Sequence, residues 1–353
     1  FFTETKMIQL TPGKLWGMRR MANVDGFFMM IAVDQRPPIK APIAKHYGLP
    51  EAPYEDVARF KTLLIKTMQN DSTAMLLDPH YAIPTGLPFF SPQKGLIVTL
   101  EDSIFEETGD GRYSSEIDDW SVGKIKRLGA DAVKVLAWYR PDANPHVNQQ
   151  QKDFVKRIGE QCAHYDIPFL FELLVYPLSG DQVQSQDYLE MTGKRSENIL
   201  ESVAEFAKAE YGVDIFKLES PVEAANVPGI GGDDWESIQK WFDELGKQAS
   251  RPWVMLSAGA GKDEFYRIMT HAYSAGASGY LAGRAIWLDA FKHFPDWGKI
   301  EESLEQESCP YMSKLNELTM KAAVPWDQHT CFEQQVLKLT PSDASFRHVY
   351  LDI

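Results

Sequence analysis

Eight short apolar segments recur in order along the chain, at Phe27–Asp34, Thr73–Asp78, Gly95–Glu101, Asp131–Trp138, Phe169–Tyr176, Asp214–Glu219, Trp253–Ala258 and Gly279–Gly283. Each is short enough to be a buried strand and too short to be a core helix. Several are apolar on both sides, as expected of a strand with one face lining a filled interior and the other carrying helices. Helix-period segments lie between them. Tyr54–Gln69 places Val57, Phe60, Leu63, Leu64 and Met68 on one face and Glu55, Asp56, Arg59 and Lys66 elsewhere. Ser196–Tyr211, Trp235–Leu245 and Asp263–Ala275 are patterned in the same way. Such alternation defines an α/β protein. An open doubly wound sheet alternates too, so the count of eight is what selects a closed (β/α)₈ TIM barrel. The weak point is Pro79–Gln93, where prolines and a glycine replace a clear helix after the second strand.

Outside the repeat, residues 1–24 are expected to form an opening helix or barrel plug around Lys14–Met21, and residues 291–353 a helical and irregular C-terminal extension. No stretch rich in Pro, Gly or Ser divides the chain, so residues 1–353 read as a single domain with its barrel core at about 26–290. At 353 residues with 44% hydrophobic side chains, a substantial buried core is expected. The net charge of −14, without any block of lysines or arginines, argues against a nucleic-acid or membrane partner. A small anionic substrate remains compatible, provided a few cations and backbone N–H groups converge in one cleft. Cys162, Cys309 and Cys331 are widely separated, show no metal-ligand spacing and leave one over, which suits a reducing cytoplasm. Phe1–Leu10 lacks a cationic-then-apolar signal, and no apolar run is long enough to cross a bilayer. A cytoplasmic enzyme that assembles as a homo-oligomer is the expectation.

The polar residues inside these strands carry the functional reading, because a polar side chain in an apolar run costs free energy unless it is paired. Asp34, Gln35 and Arg36 close the first strand, Lys134 interrupts the fourth, Glu172 the fifth and Lys217 the sixth. Ser257 ends the seventh, and Arg284 follows the eighth. In a barrel of this kind the reacting groups project from the C-terminal ends of several strands, so these positions converge on one mouth.

Two lysines and two carboxylates suit one chemistry. A partly desolvated lysine beside a second lysine has its charged form disfavoured, which supplies a neutral amine able to attack a carbonyl. The iminium formed on it withdraws electrons from the adjacent carbon, so the C3–C4 bond of a ketose can break; the step calls for no metal and no cofactor. The loops after strands seven and eight are where barrels often hold phosphate, through backbone N–H groups and a helix N-terminus. Ser257-Ala258-Gly259 and Gly283-Arg284 stand at those loops, with the Arg284 guanidinium as a bidentate partner.

Each residue has a plainer reading. Lys217 could pair with Glu219 two positions on, and Glu172 with Lys134 could be a buried ion pair that fixes the interior; such pairs stabilise weakly compared with apolar packing. Asp34-Gln35-Arg36 in isolation is a strand end and a turn, and Gly283-Arg284 in isolation is a helix cap. Asp78-Pro79-His80 reads as a loop, the aromatic residues of Trp287–Trp297 as packing, and Glu106-Glu107 and Asp118-Asp119 as solvated faces.

Taken together, Ala32-Val33-Asp34-Gln35-Arg36, Gly129-Ala130-Asp131-Ala132-Val133-Lys134, Phe171-Glu172, Phe216-Lys217-Leu218-Glu219, Leu256-Ser257-Ala258-Gly259 and Ala277-Ser278-Gly279-Tyr280-Leu281-Ala282-Gly283-Arg284 resemble the metal-independent, Schiff-base tagatose-1,6-bisphosphate aldolases. The related sulfofructose-phosphate aldolases are similar at these places. The resemblance runs in order from about Gly26 to Trp287. It implies Lys217 as the Schiff-base lysine, Glu172 as the main proton-transfer residue, and Lys134 and Asp34 as polar partners of the substrate carbonyl and hydroxyls. It implies Gln35 and Arg36 as substrate-binding, and Ser257, Ala258, Gly259, Gly283 and Arg284 as the site for the phosphate of the dihydroxyacetone-phosphate half. The chain departs from the pattern at Pro37-Pro38 and between His80 and Lys94, both near the mouth, where the aldehyde half would lie. Three classes stand: a Schiff-base aldolase of a ketose phosphate; a barrel enzyme of another reaction class, an isomerase or a metal-dependent aldolase; and a non-catalytic sugar-phosphate-binding barrel.

Overall fold

The computed structural model of the protein describes residues 8–178, 196–332 and 336–350. All eight apolar segments are strands, trimmed by a few residues at their ends: β1 (Phe28–Ala32), β2 (Ala74–Leu77), β3 (Gly95–Thr99), β4 (Ala132–Trp138), β5 (Phe169–Leu174), β6 (Ile215–Leu218), β7 (Trp253–Met255) and β8 (Gly279–Ala282). They are parallel and close in the order β1-β8-β7-β6-β5-β4-β3-β2. Phe28 to Ile31 of β1 pair with Gly279 to Ala282 of β8. That pairing removes both sheet edges, so the expected closed (β/α)₈ barrel is present and the open doubly wound alternative is not.

Alternation along each strand sorts the side chains into two sets. Met30, Ala32, Leu76, Ile97, Ala132, Leu170, Ile215, Val254 and Leu281 make one buried cluster inside the barrel. Ile31, Val98, Val135, Phe171, Phe216 and Met255 belong to a larger cluster that includes residues of the surrounding helices. The interior is thus a packed core, and residues two positions further along the same inner face stand on top of it. The lower end is closed by the helix Pro12–Met21, whose Leu15, Met18 and Met21 join the inner cluster together with Trp326 and Phe332 from the tail. Asp166 caps this helix by accepting from the N–H groups of Gly13 at 2.7 Å and Lys14 at 3.1 Å. The plug expected around Lys14–Met21 is therefore present; residues 1–7 of that expectation lie outside the described residues.

The four helices expected from periodicity are found at Tyr54–Met68, Ser196–Phe206, Trp235–Ala249 and Lys262–Ser274. The tail carries Trp297–Ser303 and Cys309–Ala322. Pro37-Pro38 opens a helix, Pro37–Tyr47, where the fixed φ of proline suits the first turn. After β2 the chain makes a short helix, Ala82–Gly86. Its start is held by Asp78, which accepts from the backbone N–H groups of His80 at 3.0 Å and Tyr81 at 2.9 Å and pairs with the fully buried Lys61. Glu106 and Glu107 are exposed as expected, but they lie in a two-stranded hairpin, Glu106–Thr108 with Gly111–Tyr113. The neighbouring Arg112 is buried there, its guanidinium 4.5 Å from the ring centre of Phe105 and 4.8 Å from that of Trp138. Among the described residues no helix is long and apolar enough to cross a membrane.

Candidate active site

The strand register brings the polar residues together. Glu172 on β5 is the direct register partner of Lys217 on β6, and Thr99 on β3 is that of Lys134 on β4. Asp34 lies two residues beyond the end of β1, on the same inner face as Met30 and Ala32. Asp34, Lys134, Glu172 and Lys217 line one cleft of about 550 Å³ at the C-terminal mouth of the barrel. Its lining includes Asp34, Gln35, Arg36, Lys134, Glu172, Lys217, Ser257, Ala258, Gly283 and Arg284.

Of the residues expected at the site, only Gly259 is missing from this lining. It occupies the turn behind it, where the Ala260 N–H donates to the Ser257 carbonyl at 2.7 Å and the intervening Ala258 and Gly259 have φ of +45° and +86°. Two successive residues in the left-handed region bend the chain sharply at the strand end, and glycine takes that conformation without a Cβ clash. Gly283 is required for a different reason. A Cβ there would sit 2.7 Å from the Ala32 carbonyl oxygen and 2.8 Å from the Gln35 side-chain nitrogen. The helix Arg284–Phe291 starts immediately after it, and Trp287 on that helix donates its indole N–H to the Ala32 carbonyl at 3.1 Å.

At the centre, Lys134 is held by three carboxylates. Its Nζ lies 2.9 Å from Asp34 Oδ2, 2.8 Å from Glu172 Oε2, and in contact with Glu101 Oε1. Three ammonium protons therefore have three acceptors. Burial opposes the charge, but these carboxylates outweigh it and hold the Lys134 pKa well above the ordinary lysine range. Lys217 Nζ donates to Glu172 Oε2 at 2.9 Å. Glu219, its competing partner, instead accepts from the Val175 N–H at 2.8 Å. Burial disfavours ionisation of both Asp34 and Glu172, yet Lys134 and Lys217 outweigh it and hold both carboxyls below their usual range. The plainer reading of Glu172 and Lys134 as a buried ion pair is thus correct as geometry, but the pair belongs to a cleft-lining network that includes Lys217.

Several buried polar atoms here have no hydrogen-bond partner: Asp34 Oδ1, Gln35 Oε1, and Nε and Nη1 of Arg36. Arg36 is 5% exposed, and its Nη2 donates to the Glu101 backbone carbonyl at 3.0 Å. Buried polar atoms left unpaired at a cleft wall call for a partner, and hydroxyl groups and an anion have the complementary chemistry. Glu101 was passed over in the sequence, although it closes β3 on the inner face shared by Ile97 and Thr99, as Asp34 closes β1. Lys61 lies on the buried face with Val57, Ala58, Leu64 and Ile65, and its partner Asp78 comes from another element, which helix periodicity does not reveal.

Comparisons with known proteins identify the family. A family model described as DeoC/LacD family aldolase matches residues 28–289. Tagatose 1,6-diphosphate aldolase 2 of Enterococcus faecalis is 32% identical over 91% of this chain and 97% of its own length. Tagatose 1,6-diphosphate aldolase of Listeria monocytogenes is 31% identical over 91% of this chain and 95% of its own length. Among solved structures, a Schiff-base-forming fructose-1,6-bisphosphate aldolase aligns with a TM-score of 0.55 at 17% identity, over 87% of this chain and 99% of that one. The fructose-bisphosphate aldolase of Plasmodium falciparum aligns with a TM-score of 0.61 at 11% identity, over 91% of this chain and 99% of that one. At these identities the structures support the barrel alone, whereas the family match and the curated relatives reach across the strands that build the cleft. This chain belongs to the DeoC/LacD family of aldolases.

Proposed function

We propose that this enzyme is a Schiff-base aldolase that cleaves a ketose 1,6-bisphosphate, tagatose or fructose 1,6-bisphosphate, into dihydroxyacetone phosphate and a phosphorylated aldehyde. The observation that carries the reading is Glu172 Oε2 lying within hydrogen-bond distance of both Lys217 and Lys134 in a buried cleft. Lys134, saturated by carboxylates, stays an ammonium, whereas Lys217 can pass its proton to Glu172 and become the nucleophile. The Lys217 nitrogen adds to the C2 carbonyl, and the carbinolamine loses water to give the iminium. A base removes the C4 hydroxyl proton, the C3–C4 bond breaks, and its electron pair forms the enamine. After the aldehyde leaves, C3 is protonated and water hydrolyses the iminium, releasing dihydroxyacetone phosphate and the free amine. Glu172 carries protons through these steps, and its two cationic neighbours keep it ionised between them.

The remaining residues take the two ends of the substrate. Asp34 Oδ1 and Gln35 Oε1, unpaired and buried, are acceptors for sugar hydroxyls. Ser257, Ala258, Gly283 and Arg284, with Gly259 shaping the turn, hold the phosphate of the ketone half at a helix start. The open donors of Arg36, on the far side of Asp34, receive the anion of the aldehyde half. The same reading treats residues 1–353 as one domain of a cytoplasmic homo-oligomer, and the three unpaired cysteines suit that compartment.

Borohydride reduction in the presence of dihydroxyacetone phosphate tests the mechanism. Mass spectrometry is expected to find one reduced adduct, on Lys217, formed equally in the presence of a chelator. An adduct on another lysine, or none, refutes it. An isomerase or a binding-only barrel would give no adduct and no triose from either bisphosphate.

A further inference from the structure

The cluster around Lys134 holds one carboxyl more than it has ammoniums. Asp34, Glu101 and Glu172 surround Lys134, with Lys217 beside Glu172, and all five residues are more than nine-tenths buried. Full ionisation leaves the five groups with one net negative charge. Arg36 lies nearby, but it meets Glu101 only through the backbone carbonyl, and on the functional reading above its guanidinium is matched by the distal anion. An extra uncompensated charge in a desolvated cluster is costly, and a carboxyl relieves it by keeping its proton.

Resting on that reading, we propose that Glu101 is a positioning residue of the aldolase reaction, which fixes Lys134 against Glu172 while itself remaining a neutral acid. Its contacts are built for this. One oxygen, Oε1, accepts from Lys134, and the other, Oε2, lies 2.6 Å from the Thr99 hydroxyl. A hydroxyl can accept from a protonated carboxyl as readily as it donates to an ionised one. Thr99 is also the register partner of Lys134, so the strand pairing that places the lysine also places the hydroxyl that holds its third ligand. Burial, with Asp34 adding to it, pushes the Glu101 carboxyl above its usual range against the pull of Lys134 and Arg36, while Asp34 and Glu172 are held below theirs. Of the three carboxyls Glu101 is therefore the one that holds a proton most readily, and Glu172 the one left ionised to receive the proton of Lys217. Glu101 thereby contributes a third ligand for Lys134 without a third negative charge.

Glu101→Gln and Glu101→Ala test the assignment together, with melting temperature reporting folding. Glu101→Ala frees Lys134 on one side and is expected to lower kcat by about 10²-fold while moving KM by less than about threefold. Glu101→Gln supplies an uncharged group of the same length and is expected to be at least about tenfold faster than the alanine variant, though slower than the wild type. An infrared band of a buried, protonated carboxyl is expected in the wild type at neutral pH and absent from Glu101→Gln. The spectrum is recorded with saturating inorganic phosphate, which matches Arg36, and needs no turnover, so it judges the protonation even if the wild type proves not to be an aldolase. If Glu101→Ala does not fold, the band and the kinetics of Glu101→Gln decide. A glutamine variant as slow as the alanine variant or without turnover, a band unchanged by Glu101→Gln, or a fully active alanine variant would each overturn the proposal.

Discussion

Glu172 and Lys217 are register partners on adjacent parallel strands, and the Glu172 oxygen that meets Lys217 at 2.9 Å also meets Lys134 at 2.8 Å. Sharing one oxygen between two ammoniums makes Glu172 the only carboxylate in the cluster placed to take a proton from Lys217 while still held by Lys134. Strand pairing sets this geometry, so it is rigid in the backbone and adjustable only by side-chain rotation.

Glu172→Gln keeps the shape of the side chain but removes its basicity. Lys134 retains Asp34 and Glu101, so the fold should survive, while Lys217 loses its proton acceptor. Turnover is expected to fall by about 10²–10⁴-fold, the range for loss of a general acid–base group. Borohydride trapping should slow in proportion. Steady-state kinetics beside a trapping time course check this, and trapping at the wild-type rate would show that Lys217 discharges its proton elsewhere.

Lys134→Met should injure stability more than any other single change at the site. It strands the ionised Asp34 without its cation in a buried place and takes a donor from Glu101, and loss of one partner from a buried ion pair costs about 3–5 kcal/mol. The sign of the pH effect follows from Asp34 and Glu172, whose folded-state pKa values are depressed by Lys134 and Lys217. Their contribution to wild-type stability is complete above the ordinary carboxylate range and is lost as pH falls through the lower folded-state values. The gap between wild type and variant should therefore narrow on acidification. Denaturant titrations at several pH values measure it, and a gap that widens toward low pH would contradict the cluster as described.

Much of this site was legible because a barrel repeats one instruction eight times. Lys134, Glu172 and Lys217 are conspicuous since each sits in an apolar strand whose neighbours leave no doubt about its inward direction. Glu101 obeys the same alternation from Ile97 through Thr99, but as the last residue of its segment, followed by Asp102, it also looks like the start of a loop. Lys61 was hidden differently: its partner Asp78 lies 17 residues away at the end of β2, and helix periodicity carries no information about such a pairing. The hairpin at 106–113 left no trace either, because its strands are three residues long and its buried member is an arginine stacked on aromatic rings.

The lower end of the barrel holds a separate pH sensor of stability. His329 is partly buried, its Nε2 is 2.9 Å from the Ser278 hydroxyl, and burial depresses its pKa to about 4. A depressed histidine stabilises the fold fully above its unfolded value of about 6.5, and that contribution is lost as pH falls from there toward the folded value. The loss amounts to at most about 3 kcal/mol, reduced by whatever solvent reaches the ring. His329→Gln should flatten the stability profile between about pH 6.5 and 4. Thermal melts across that interval provide the comparison, and parallel profiles for the two proteins would remove His329 from the account.

On the proposed reading, the two arginines at the mouth take the two ends of the substrate. Arg284 starts the helix that follows β8, beside Gly283 and the Ser257–Ala260 turn, whereas Arg36 stands beyond Asp34 with two open donors. A hydrogen bond to a charged group contributes about 1.5–3 kcal/mol, which corresponds to about 10–100-fold in kcat/KM. Arg284→Met should therefore lower kcat/KM by that factor for a ketose 1-phosphate and for the matching 1,6-bisphosphate alike, because both carry the phosphate it holds. Arg36→Met should lower it for the bisphosphate and much less for the 1-phosphate. The contrast lies in the ratio of the two substrates, which cancels any general loss of packing that either substitution causes. Equal losses on both substrates for Arg36→Met would place the distal anion on other residues, and an unchanged response to phosphate for Arg284→Met would do the same for the ketone half.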